Sequence, residues 1–439
     1  MKKTTKFLAV LSAAAVMSAA APVFFANPAN TVYAADKGWV EENGSWRYYE
    51  DEDYYLSDTW KKRGDDWYYL DDEGYITTEE AVDEYYVDAD GKRVYNTWIS
   101  EDNEDSWSDD EPDTFWYYYG NNGKRIVSKW QSIDNKWYYF NEDGYMLTGK
   151  VEIDGATYYL GEDGSRKTGW VQLLEEDDDY EEEFSWYYFN SNGKMVENEV
   201  DKKINGEYYT FINGRLQTGW VQVEVPTATE SEAAHPLAGW QYYEEDGKRA
   251  KGWYEIYGVE GISDDEDTYR FYFKNGKPYY GEKGIEVFTV DSKKYGFNEK
   301  GEMQTDLQAV TLENGASANY YFGEDGVMRT GKQTIYDEDL GENQIWFFYT
   351  DGSRKGQGYN GIRDNVLYIN GLRQDADADL RLAPAEFEGK RYLVNVSGTI
   401  QRASSSSKSK TQPELGNGFK DYTDDNGVVW VVDTNGVIQ

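Results

Sequence analysis

The chain has 439 residues and a formal net charge of −39, from 83 acidic and 44 basic side chains, which excludes the basic surfaces that bind nucleic acid or anionic membranes. Cysteine is absent and histidine occurs once, so disulfides, thiol chemistry and cysteine-based metal sites are excluded. Aromatics reach 17%, with 41 Tyr and 16 Trp, while mean hydropathy is −0.85; a chain this polar stays unfolded unless its rings cover one another.

Residues 1–35 read as a secretory signal peptide. MKKTTK is a basic start, Phe7–Ala21 is an apolar run, and Val32-Tyr33-Ala34 offers a small-residue cleavage site after Ala34 or Ala35. The run is short for a membrane span and is broken by Pro22. No second apolar stretch of spanning length follows, and the C-terminus has no hydrophobic tail or LPxTG-like signal. The reading is an exported protein without a transmembrane anchor, kept at the surface by binding.

From Gly38 onward one unit recurs. Its clearest copy is Trp130–Lys150, WQSIDNKWYYFNEDGYMLTGK: an opening Trp130, a polar turn, the run Trp137-Tyr138-Tyr139-Phe140, then Glu142-Asp143-Gly144 and Tyr145-Met146-Leu147. Asp-Gly between two apolar runs predicts a tight hairpin turn there, because a type I′ turn needs positive φ at both central residues. The turn returns at Gly74, Gly91, Gly123, Gly164, Gly193, Gly214, Gly247, Gly276, Gly301, Gly326, Gly352 and Gly371, about every 25 residues. A lone strand pair is marginal, so neighbours must supply the core. The predicted fold is all-β, a β-solenoid of stacked β-hairpin repeats of roughly 20–30 residues.

Longer units carry acidic inserts at 101–114, 175–183 and 263–268, and Thr227–Leu237, with the lone His235, reads as another. Their carboxylates could take Ca²⁺, but none has the spaced Asp-x-Asp-x-Asp-Gly loop, which favours solvated loops. The repeat degenerates beyond about Leu372, and 403–416 (ASSSSKSKTQPELG) reads as a Ser/Lys linker or long loop. The expected organisation is a signal peptide at 1–35, a solenoid at 36–402, the linker at 403–416 and a terminal hairpin at 417–439.

The phrases TGWVQ (168–172, 218–222), WYYF (137–140, 186–189) and NGKM (192–195) resemble the cell-wall-binding, or choline-binding, repeat family. Related repeats occur in the glucan-binding regions of glucosyltransferases and in clostridial toxin ends. The resemblance covers most of 38–371. It implies stacked hairpins with choline held between them by the Trp that opens a unit, the Trp of the WYY run and an aromatic of the next unit, often beside a Met. A quaternary ammonium donates no hydrogen bond but is drawn to ring faces, by about 0.5–2 kcal/mol per ring.

Carried over on matching positions, the cage candidates are Trp39/Trp46, Trp60/Trp67, Trp98/Trp116, Trp130/Trp137, Trp170/Trp186, Trp220/Trp240 and Trp253, with Met146 and Met195 at the Met position. Lys150 and Thr157 stand where both Trp should be in one unit, as do Val200 and Glu207 in another, and units from Glu282 onward lack the opening Trp. Each ring has the alternative role of packing between hairpins.

No HExxH, GxSxG or phosphate-loop motif is present, and with 83 acids any carboxylate pair can be found by chance. Neither catalysis, nor a cofactor, nor a resident metal is implied. Two readings stand: a surface module binding choline-bearing teichoic acid or a related wall polymer, and a glycan or host-partner binder or structural spacer using Tyr-lined grooves. A homodimer is left open.

Overall fold

The computed structural model describes residues 37–103, 112–176, 182–225, 234–263 and 267–439. The expected signal peptide and the centres of the four inserts lie outside the described residues. The chain divides into two compact units, one holding the described residues up to Val151 with Leu160–Arg166, the other Glu152–Tyr159 with Lys167–Gln439. Both are all-β solenoids of antiparallel hairpins. Among the described residues the one helix is a 3₁₀ turn, Pro413–Leu415, and none is long and apolar enough to cross a membrane.

The hairpins of the first unit include Gly38–Glu42 with Ser45–Tyr49, Thr59–Arg63 with Asp66–Leu70, Thr97–Asp102 with Thr114–Tyr119, and Lys129–Ile133 with Lys136–Phe140. Those of the second include Gly169–Glu176 with Glu182–Phe189, Gly252–Tyr257 with Thr268–Lys274, and Leu382–Phe387 with Lys390–Asn395.

The turn assignment differs from the expectation. The tight two-residue turn joins the opening strand to the aromatic strand, as at Asp134-Asn135, with φ of 48° and 64°. The Asn141–Gly144 turn is instead a three-residue connection. Gly144 N–H donates to Asn141 O (3.1 Å), Asn141 N–H to Tyr145 O (3.0 Å), and Gly144 has φ +87°. That is a type I turn closed by a left-handed glycine. The Asn141 side chain takes Tyr145 N–H (3.0 Å), so an Asx turn selects this geometry over I′.

Strand alternation decides what is buried. In Lys136–Phe140 the side chains of Tyr138 and Phe140 turn inward, whereas Trp137 is exposed and Tyr139 half-buried. The fourth position of the run is sealed throughout: Leu70, Phe140, Leu160, Phe189, Phe211, Tyr243, Phe273, Phe297, Phe322 and Phe348 all have 0% exposure.

In many of the described hairpins one backbone bond stitches the hairpin to an earlier one. The N–H two residues after the turn glycine donates to the carbonyl of the residue that opens the aromatic run. Met146 N–H reaches Trp116 O (2.7 Å), Arg93 reaches Trp67 O (2.9 Å), Arg166 reaches Trp137 O (2.8 Å) and Met303 reaches Arg270 O (2.9 Å). The next N–H returns to its own hairpin, as Leu147 to Tyr139 O (2.9 Å).

The stitch continues past the point where the sequence pattern degenerates, with Ile400 N–H on Asn365 O (2.9 Å) and Ile438 N–H on Arg391 O (2.7 Å). Aliphatic Leu367, Val394 and Ile400 replace the rings there. Residues 403–416 form a loop pinned to the last hairpin. The Asp421 carboxylate accepts the Ser409 hydroxyl, Lys410 N–H (2.8 Å) and Thr411 N–H (3.0 Å). Those bonds, the Ser409 hydroxyl foremost, hold its pKa below the ordinary carboxylate value.

Two measurements check this packing. Phe140→Ala should cost about 3–5 kcal/mol in denaturant unfolding, because a sealed ring is removed, whereas Trp137→Ala should cost about 1 kcal/mol or less. Burial raises the phenol pKa of Tyr119 and of Tyr243 to about 12. A raised folded-state value means stability is level below pH 10 and falls as pH rises toward about 12, where the unfolded chain releases protons first. Melting followed across that window should show the loss, and Tyr243→Phe should shallow it.

Candidate functional site

The strand register decides which rings can meet. Trp130 pairs with Tyr139 and Ser132 with Trp137, so the two Trp are diagonal neighbours on one face of the hairpin. The same register joins Trp39 with Trp46, Trp60 with Trp67, Trp98 with Trp116, Trp170 with Trp186, and Trp220 with Trp240. Each opening Trp lies on its cross-strand Tyr, with centroids 5.1 Å apart for Trp98–Tyr118 and 5.0 Å for Trp170–Tyr188.

The opening Trp also meets the inward face of the next hairpin. Trp98 lies 5.1 Å from Tyr138 and 5.7 Å from Phe140. Trp170 lies 4.9 Å from Tyr209, Trp220 5.3 Å from Phe271, and Trp253 4.7 Å from Tyr295. These Trp are half-buried and hold neighbouring hairpins together. Trp116, Trp137 and Trp186, the second members of three pairs, are each 43% exposed, whereas Trp46, Trp67 and Trp240 are half-buried, so three of the six pairs have an outer wall open to solvent.

Met146, like Trp98, packs against the buried cluster of Tyr118, Ile126, Ile133, Tyr138 and Phe140. The Gly164 turn closes over it, because a Cβ at Gly164 would lie 2.0 Å from Met146 Sδ. Met195 is brought to a different interface: its N–H bonds Thr157 O (2.8 Å), in the hairpin that offers threonine where a Trp would stand.

Arginines make contacts with these rings that the sequence reading missed. Arg63 lies 3.6 Å from the Trp46 centroid and 5.7 Å from that of Trp39. Arg93 lies 5.7 Å from Trp60, 5.5 Å from Trp67 and 4.7 Å from Tyr85. Arg166 lies 5.5 Å from Trp130 and 5.6 Å from Trp137. Arg270 takes the place of a second Trp, 5.1 Å from Trp253. A signal was available. The residue two after the turn glycine is Arg93, Arg125, Arg166 or Arg249 in some units and Met146, Met195, Met303 or Met328 in others.

The Trp98–Trp116 pair differs. Its indoles stand 6.5 Å apart at 78°, and among the described residues no cation lies over either ring. Among the described residues no group of three or more histidine or carboxylate side chains is placed to hold a metal ion.

Three stretches match models of known repeats: residues 127–169 and 54–93 match choline-binding repeats, and 185–195 a putative cell wall binding repeat. No curated protein matches. Among solved structures, the chain is similar to the modular autolysin LytC from Streptococcus pneumoniae, at 21% identity and TM-score 0.38. That match covers 61% of this chain and 52% of the autolysin, so it spans about half the autolysin's length. It is also similar to choline binding protein F from Streptococcus pneumoniae, at 21% identity and TM-score 0.37, over 68% of this chain and all of that one.

The Gly164–Met146 contact gives a test of the site's wall. Gly164→Ala should lower stability by about 1–3 kcal/mol, from overpacking and a left-handed backbone at φ +69°. Met146→Ala in the same chain should restore part of the loss, so the double-mutant cycle measured by denaturant unfolding should be non-additive.

Proposed function

The chain carries repeats of the choline-binding, cell-wall-binding family, and we propose that it is an exported, non-catalytic surface protein. It binds the choline groups of wall teichoic acid in aromatic corners between successive hairpins. The observation that carries this reading is the Trp98–Trp116 pair, two nearly perpendicular indoles, with Tyr138 5.1 Å from Trp98 and Met146 bonded through its N–H to Trp116 O.

The chemistry suits a quaternary ammonium. It cannot donate a hydrogen bond, so a corner of ring faces and a thioether leaves no polar group unpaired, and each face adds about 0.5–2 kcal/mol. The excess of 83 acidic over 44 basic side chains adds long-range attraction for cations and repels the polymer's phosphates. Binding would therefore select the choline heads and leave the phosphodiester chain in solvent.

A single histidine, no cysteine and no nucleophile motif support a role without catalysis. On this reading the basic and apolar residues 1–35 direct export and are removed, 36–402 is the binding solenoid, and the hairpin at 417–439 closes it behind the 403–416 loop. Retention at the bacterial surface then comes from many weak sites acting together.

Titration with choline, followed by Trp fluorescence and melting temperature, tests this. Saturable quenching with a rise in melting temperature is expected, and Trp116→Ala should reduce the amplitude. No response at millimolar choline, with a response to wall oligosaccharide instead, would replace choline by a glycan as the ligand.

A further inference from the structure

We propose that the aromatic pairs fall into two classes, self-filled and open, and that arginines of the chain decide which. This rests on the choline-binding reading above and assigns the residues that set how many sites exist. Arg63, Arg93, Arg166 and Arg270 are internal ligands: each lays a guanidinium over the rings of Trp39/Trp46, Trp60/Trp67, Trp130/Trp137 and Trp253 respectively. The open pairs are Trp98/Trp116, Trp170/Trp186 and Trp220/Trp240, over which no cation lies among the described residues.

Where the stitch meets a Trp, it sets which side chain reaches the corner. Met146 and Arg166 occupy equivalent places, each donating its N–H to the carbonyl of the exposed Trp of the preceding hairpin, Trp116 and Trp137. The backbone therefore delivers either side chain to the same corner. A thioether lines that corner and leaves space over the ring faces. A guanidinium from the same place reaches both indoles, at 5.5 and 5.6 Å, inside the roughly 6 Å at which ring faces attract a cation. The Trp60/Trp67 pair repeats the arrangement with Arg93, and Tyr85 of the next hairpin adds a third ring at 4.7 Å.

Competition then favours the tethered cation. Arginine binds the same feature of the rings as choline does, and attachment to the chain gives it an effective concentration above that of free ligand at millimolar levels. A planar guanidinium also stacks on indole in a way that an ammonium cannot. The internal cation serves as a clamp between hairpins.

While Arg63 and Arg270 reach their rings from within strands Thr59–Arg63 and Thr268–Lys274, the position two after the turn glycine is thus specificity-determining at the corners that Arg93 and Arg166 fill. Arginine there closes the preceding corner to external cations. Methionine or leucine, as Met146 and Leu216, leaves it open where both Trp are present.

Isothermal titration of the full chain with choline, counting moles bound per mole, tests this with Arg166→Met and, independently, Arg93→Met. Each substitution should add one site, and the added site in Arg166→Met should vanish in Arg166→Met/Trp137→Ala. Trp116→Ala should remove one site from the natural chain. Using two arginines in different corners guards against a variant that misfolds, and far-ultraviolet dichroism with melting confirms folding of each. If Trp116→Ala removes a site while neither arginine substitution adds one, the inference falls and the choline reading stands. If neither the natural chain nor the methionine variants bind choline, the choline reading fails and the inference with it.

Discussion

No hairpin of this chain can seal its own core. The inward side of an aromatic strand carries two large side chains two residues apart, Tyr138 and Phe140 in one case and Tyr68 and Leu70 in another, and a two-stranded hairpin has no second layer to cover them. The cover comes from the opening Trp of the neighbouring hairpin, as Trp98 over Tyr138 and Phe140, held in place by the single N–H that crosses from one hairpin to the carbonyl of the last. Stability is therefore built from nearest-neighbour interfaces. The sealed residue at the fourth position of each aromatic run is the constant of that interface, while its outer rim is free to vary.

The proposed function draws on that freedom. At Met195 the crossing N–H meets Thr157. At Arg93, Met146 and Arg166 it belongs to the residue two after the turn glycine and goes to the carbonyl of a Trp, so packing places a variable side chain beside an indole at those interfaces. Methionine there lines the corner, and arginine fills it. In a chain with far more acid than base, several arginines lie over rings.

Much of this could be read from the amino-acid order. The recurrence of NG and DG turns beside WYYF-like runs is a periodic signal that only stacked hairpins satisfy, and the diagonal Trp pairs follow once Trp130 and Trp137 are recognised as ends of facing strands. The position of the tight turn was misjudged because Asp143-Gly144 has the stronger local signature. The Asn141 side chain, by accepting Tyr145 N–H, turns that signature to a different geometry, and the less conspicuous Asp134-Asn135 makes the I′ turn. The arginines were missed for another reason. Arg166 is 29 residues from Trp137 in sequence, and only the stitch between hairpins brings them together. Continuation of the stitch through Ile400 and Ile438 was equally hidden, because aliphatic residues had replaced the rings by which the repeat was traced.

On the proposed reading, an aromatic corner between hairpins takes one cation, either the chain's own guanidinium or the ammonium of a ligand. A crystal structure of the protein soaked in choline examines it most directly. The account predicts a quaternary ammonium between Trp98 and Trp116, with Arg166 still lying over Trp130 and Trp137. An ammonium between Trp130 and Trp137 with Arg166 displaced into solvent, or an empty Trp98–Trp116 corner beside choline bound elsewhere, would contradict it.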